Sequence, residues 1–140
     1  MTRPPQDPPR PSTRLPTPSV SSPPLEIQVS YRYGAPLIYV SGELDHGTAN
    51  QLRGSIDEEL AGQPSALLLE FSRLAYVDSG GLSLLFETAQ RIKEGGWLGI
   101  VSPSGNVRKL IDMTGISERK GFRVIENLAD VPAAIAELPD

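Results

Sequence analysis

The chain has no cysteine and only one histidine, His46, among its 140 residues. Without cysteine there is no disulfide framework, no thiolate metal site and no thiol nucleophile. A single imidazole argues against a histidine-rich zinc centre. No run of about 18 apolar residues occurs, so the sequence predicts no transmembrane helix. The N-terminus lacks the apolar stretch of a secretory signal, which makes the cytoplasm the expected location. Positive charge is scarce as well: 13 Lys and Arg stand against 17 Asp and Glu, for a net charge of −4. Residues 1–24 carry Arg3, Arg10 and Arg14 against Asp7, so the remainder holds 10 basic and 16 acidic residues. A body that acidic is poorly suited to phosphate backbones, whose binding needs a cationic face. The expected partner is a protein, with no nucleic acid and no membrane. The length suffices for one domain with a real core.

Proline is concentrated rather than scarce. Nine of the fourteen prolines lie in residues 1–24, where Met1, Leu15 and Val20 are the only sizeable apolar residues. Such a segment cannot bury enough surface to offset its ordering entropy, so it reads as a disordered, proline-rich tail. Pro8-Pro9-Arg10-Pro11 has a PxxP spacing, and Thr17-Pro18 and Ser22-Pro23 are weak modification signals.

From Leu25 the pattern changes. Leu25 to Tyr31 alternates apolar and polar, as a half-buried strand does. A turn at Gly34-Ala35-Pro36 leads to a second strand, Leu37 to Val40, so the two should form an antiparallel hairpin. Gly42-Glu43-Leu44-Asp45 reads as a loop, followed by a helix with Ala49, Leu52, Ile56 and Leu60 on one face and Gly62 as its left-handed stop. Ala66 to Phe71 is a continuous apolar run, the signature of a central strand. A second helix begins at Leu82, turns Leu82, Leu85, Phe86, Ala89 and Ile92 inward, and stops at Gly95-Gly96. Trp97 to Val101 is the next strand, then a helix on Val107, Leu110, Ile111 and Thr114 ending at Gly115. Phe122 to Ile125 is the last strand. Asp130 is placed to cap a final helix carrying Val131, Ala134, Ile135 and Leu138. The order ββαβαβαβα predicts an α/β domain with right-handed crossovers and a largely parallel sheet, whose functional edge lies at the strands' carboxyl ends.

Two loops belong to that edge: Asp45-His46, and Asp78-Ser79-Gly80-Gly81 after the strand-like run Leu74 to Val77. A serine at the mouth of a helix can be a cap, a nucleophile or a phosphorylation site. As a nucleophile Ser79 would need a histidine base, and His46 is the sole candidate. No Gly-x-Ser-x-Gly elbow is present, because Val77 stands two residues before Ser79. Asp45 and Asp78 form a pair of carboxylates, but no third metal ligand and no Lys-Ser/Thr phosphate loop accompanies them. Asp45 reads as a helix N-cap or near-cap, and His46 as a first-turn or contact residue.

Taken together, Gly42-Glu43-Leu44-Asp45-His46, Asp78-Ser79-Gly80-Gly81-Leu82, Gly95-Gly96, Val107-Arg108-Lys109-Leu110 and Met113-Thr114-Gly115 resemble the STAS domain. The likeness is to the single-domain anti-sigma factor antagonists of bacteria, over about residues 25–138. It implies a mixed sheet with an N-terminal hairpin and βα units. It also implies a non-enzymatic, partner-switching regulator of transcription without a resident cofactor. Its unphosphorylated form would bind an anti-sigma factor with serine kinase activity and so release a sigma factor. Phosphorylation of Ser79 by that kinase would end the binding, and a serine phosphatase would restore it. ATP and Mg²⁺ would belong to the kinase. The partner surface implied is Asp45, His46, Asp78, Ser79, Gly80 and Gly81. Gly80 departs from the Ser or Thr frequent there, which removes a neighbouring hydroxyl and loosens the turn. Two other readings remain open: an accessory STAS subunit of a membrane transport complex, acting by docking, and a nucleotide-binding or hydrolysing domain.

Overall fold

The computed structural model describes residues 24–139. The expected tail, with its PxxP and Ser/Thr-Pro motifs, therefore lies outside the described residues except for Pro24.

Strands β1 (Glu26–Arg32) and β2 (Ala35–Leu44) pair antiparallel, with Arg32 opposite Ala35. The turn is Tyr33-Gly34, one residue earlier than the sequence suggests, and Ala35 and Pro36 already belong to β2. Both turn residues have positive φ, 58° and 81°. That is the left-handed pair a two-residue hairpin needs to match the twist of its strands. Next come α1 (Ala49–Leu60), β3 (Ala66–Val77), α2 (Ser79–Arg91), β4 (Trp97–Val101), α3 (Gly105–Thr114), β5 (Phe122–Ile125) and α4 (Val131–Ala136). The sheet order is β1-β2-β3-β4-β5, and all pairs after the hairpin are parallel. The ββαβαβαβα order and the mixed sheet are those expected.

The sheet has two covered faces. On one, Ile38, Val40, Leu67, Leu69, Phe71, Leu98 and Ile100 pack against Leu52 and Ile56 of α1, Leu84 and Leu85 of α2, and Val107 and Ile111 of α3. On the other, Leu37, Leu68, Trp97, Val101 and Ile125 meet Val131 and Ala134 of α4. Alternate residues of β3 serve the two cores, so the sequence there is apolar without a break. Gly99 of β4 has no room for a side chain, since a β-carbon would fall 2.8 Å from the Trp97 ring and 3.0 Å from Leu68.

Several local expectations need correction. Gly42-Glu43-Leu44 is strand rather than loop, and Leu74–Val77 continues β3 instead of forming a separate run. The two extensions pair with each other, Gly42 with Leu74 and Leu44 with Val77, across register shifts in which Gly42 adopts φ 110°. A bulge lets both strands run past the helix-covered core toward the rim. At the end of α1, Ala61 is right-handed and the left-handed residue is Gln63, not Gly62. Helix α2 starts three residues before Leu82 and ends at Arg91, with Ile92 extended, so Gly95-Gly96 follows its end rather than stopping it. Its fully buried face is Gly81, Leu84, Leu85 and Thr88, while Leu82, Phe86 and Ala89 are only half-buried. Gly115 does end α3 in a left-handed cap, φ 70°. Asp130 precedes α4, but its side chain makes no capping bond.

Candidate functional site

Leu44 and Val77 end adjacent parallel strands and lie side by side. The Asp78 N–H donates to the Leu44 carbonyl at 3.1 Å, which ties the two chain ends together. The loops following β2 and β3 therefore share one rim, as the topology predicts.

Each loop is built by a carboxylate. After β2, Asp45 Oδ1 accepts from the N–H groups of Gly47 (2.9 Å) and Thr48 (3.0 Å), folding the backbone into α1. The buried Thr48 hydroxyl donates to the Glu43 carbonyl at 2.7 Å and accepts from the Asp45 N–H at 2.9 Å. Asp45 is thus the near-cap expected of it. Thr48 was missed by sequence reasoning, although an Asp-x-x-Thr spacing before a helix could have signalled it.

After β3, Asp78 is the N-cap of α2: its Oδ1 accepts from the Gly81 N–H at 3.0 Å. Ser79 is therefore not the cap but the first helical residue. Its side chain is exposed, and its hydroxyl has no hydrogen-bond partner among the described residues. The second Asp78 oxygen joins the loops, accepting from the His46 N–H (3.2 Å) and pairing with His46 Nδ1 (2.9 Å). An ionised carboxylate only accepts, so Nδ1 carries the hydrogen. Partial burial opposes ionisation of Asp78. The Gly81 N–H, the His46 ring and the His46 N–H together outweigh it and hold the carboxyl below its ordinary range.

The glycines serve by lacking a side chain. Neither Gly80 nor Gly81 has a positive φ. The conformational freedom expected of Gly80 is thus not what the turn uses. A β-carbon at Gly81 would lie 2.8 Å from Leu44 Cγ and 2.9 Å from both the Leu44 carbonyl oxygen and Val77 Cγ1. The start of α2 lies directly on the ends of β2 and β3, and only glycine fits.

Beside Ser79 runs an open groove of about 500 Å³ between α2 and α3. Val77, Leu82 and Leu110 line it, with Asn106 and Lys109 at its polar side. Tyr76 (46% exposed) and Met113 (76% exposed) also line it, the two most plainly unburied apolar side chains on this rim. Sequence reasoning missed the groove. One signal was Met113, an apolar residue off the Val107/Ile111 stripe of its helix.

The six residues expected at the site thus converge on one rim: Asp45 and Asp78 shape the loops, His46 bridges them, Gly81 seats the helix, and Ser79 faces outward with Gly80 beneath it. A Ser-His-Asp triad is not assembled: His46 pairs with Asp78 through Nδ1, but the Ser79 hydroxyl makes no bond to the ring. Among the described residues, no cluster of three or more His, Cys, Asp or Glu residues is placed to hold a metal ion. Nor is any helix there long and apolar enough to cross a membrane.

The fold and rim define a small α/β domain that displays an exposed serine hydroxyl at the start of a helix beside an apolar groove. Residues 26–131 match the STAS domain, and the chain belongs to that family. It is 29% identical over 106 residues to the anti-sigma-F factor antagonist RsfB of Mycobacterium tuberculosis, an alignment covering 76% of this chain and 85% of the relative. It is 30% identical over 94 residues to an anti-sigma F factor antagonist of Paenibacillus polymyxa, covering 66% of this chain and 80% of that protein. The crystal structure of an anti-sigma factor antagonist from Mycobacterium paratuberculosis superposes with a TM-score of 0.73 at 28% identity, covering 81% of this chain and 95% of that one.

Proposed function

We propose that this chain is an anti-sigma factor antagonist whose binding is switched by phosphorylation of Ser79. Its relatives at 29% and 30% identity carry that name, which supports this reading over a transport-accessory subunit. The observation that carries the switch is the exposed, unbonded Ser79 hydroxyl at the first position of α2, next to a carboxylate already committed as the cap. The functional domain is residues 25–138, and residues 1–24 are an appended tail. The protein acts by binding, not by catalysis, and its site is in the cytoplasm, where sigma factors work.

In this reading the unmodified rim of Asp45, His46, Asp78, Ser79, Gly80 and Gly81, together with the adjoining groove, contacts an anti-sigma factor that is also a serine kinase. Phosphorylation adds about −1.5 to −2 charges at pH 7. Within the free protein the positive end of α2 offsets part of that cost. A partner surface fitted to the bare hydroxyl has no such compensation. Two unit charges about 4 Å apart interact by about 4 kcal/mol at an effective dielectric near 20. Reversing a binding equilibrium from 1:99 to 99:1 takes about 5.5 kcal/mol. Repulsion added to steric exclusion is therefore of the size a switch requires. A serine phosphatase would reset it.

The test is binding of variants to each candidate anti-sigma kinase of the host. Ser79→Ala should bind whether or not ATP is present, and Ser79→Asp should bind poorly. If both bind as the wild type does, Ser79 is not the switch.

A further inference from the structure

The His46 imidazole occupies the space that a side chain at residue 80 would need. A β-carbon there would fall 2.9 Å from His46 Cγ and 3.0 Å from both Cδ2 and Nδ1. Real β-carbons do not approach that closely. The backbone of Gly80 is compatible with any residue, since its φ is not positive. What requires glycine is the ring above it. From this seat the ring holds Asp78 through Nδ1, while the His46 N–H holds the same carboxylate oxygen. The other oxygen of Asp78 caps α2. Ring, cap and acceptor turn are one connected unit.

The His46 side chain is 75% exposed, so nothing prevents it from swinging into solvent. A side chain at position 80 would therefore displace the ring and leave the backbone intact.

We propose that His46 is the positioning residue of the Ser79 turn, admitted by Gly80, and that its clamp on Asp78 and any side chain at position 80 exclude each other. Two consequences follow. With Nδ1–H committed to Asp78, Nε2 is the free ring nitrogen, so the exposed neutral ring offers solvent or a partner a hydrogen-bond acceptor. Glycine at position 80 also leaves Ser79 as the sole hydroxyl in the first turn of α2, on a backbone that Asp78 caps. This second consequence rests on Ser79 being the phosphoacceptor; the clamp itself does not.

His46 is the only histidine in the chain, so an imidazole spectrum of the full-length protein contains one spin system. Long-range ¹H–¹⁵N correlation, recorded as pH is raised until the ring signals no longer change, reads the tautomer of the neutral ring. The wild type should show Nδ1–H. Gly80→Ala should fold and shift the ring toward the Nε2–H form that free imidazole prefers. A wild-type Nε2–H tautomer, an unchanged spectrum in Gly80→Ala, or loss of folding in that variant would each overturn the clamp. With any kinase that modifies wild-type Ser79, His46→Ala, Gly80→Ala and the double variant should slow transfer by one common factor, because all three remove the same contact. Multiplying effects would refute the coupling. If the wild type accepts no phosphate, the phosphoacceptor reading fails while the tautomer still decides the clamp.

Discussion

Replacing Asp78 with alanine removes three hydrogen bonds at once, and their separate sizes predict the outcome. The bond from the Gly81 N–H is an N-cap, and losing such a cap typically costs about 1 kcal/mol. The bond from the His46 N–H is a backbone contact at a partly exposed carboxylate, contributing about 0.5–1 kcal/mol. The ring contact is largely solvent-facing and adds at most about 0.5 kcal/mol. Asp78→Ala should therefore cost about 2 kcal/mol, which for a domain of this size lowers Tm by roughly 6–10 °C. Asp78→Asn keeps one oxygen for the Gly81 cap but turns an amide donor toward the His46 N–H and ring, so it loses both bonds to the second oxygen and should cost about 1–1.5 kcal/mol, less than the alanine variant. Calorimetry of the three proteins at pH 7 checks both. An Asp78→Ala variant within about 0.5 kcal/mol of wild type, or an Asn variant as unstable as the Ala one, would refute the assignment of Asp78 as cap and bridge.

Ser79→Ala should change stability by less than about 0.5 kcal/mol, because the side chain is exposed and makes no capping bond; a loss of about 1 kcal/mol in urea titration would make Ser79 the cap after all. Gly81→Ala should destabilise by about 1–3 kcal/mol in the same titration, despite alanine's better helix propensity, because its β-carbon would press on Leu44 and Val77. Asp78 also predicts a pH dependence. Its carboxyl is held below its ordinary range in the fold, so the folded state binds fewer protons than the unfolded one. The stability it adds is complete above the unfolded value near 3.9 and fades as pH falls through the lower folded value. The Tm gap between wild type and Asp78→Asn should therefore be constant from about pH 7 to 5 and narrow at more acid pH; a gap that widens on acidification would contradict the assignment.

The parts of the fold carried by side-chain periodicity were legible in the sequence. Alternation marked β1, unbroken apolar runs marked β3 and β4, and helical stripes marked Leu52/Ile56 and Val107/Ile111. What periodicity does not encode is pairing. Gly42-Glu43-Leu44 looks like a loop because a glycine and a charge interrupt it, yet it becomes strand by running beside Leu74–Val77 across a bulge. The hairpin turn was misplaced because Pro36 resembles a turn residue, whereas Tyr33 accepts a positive φ that tyrosine rarely adopts. At the site, the shared rim followed from topology alone, but the division of labour did not. Serine and aspartate are both good caps, and only the geometry assigns the cap to Asp78 and leaves Ser79 free. The contacts of Gly80 with His46 and of Gly81 with Leu44 join residues more than 30 positions apart, which no local pattern records.

The central claim is that Ser79 is a phosphorylated switch for anti-sigma factor binding. Its most direct test is phosphosite mapping by mass spectrometry after incubating the protein with ATP and each candidate anti-sigma kinase of its host, with binding measured before and after. The account predicts stoichiometric phosphate on Ser79 from one kinase, and loss of that kinase's binding once the phosphate is in place. Phosphate at another residue, or undiminished binding by the Ser79-phosphorylated protein, would contradict it.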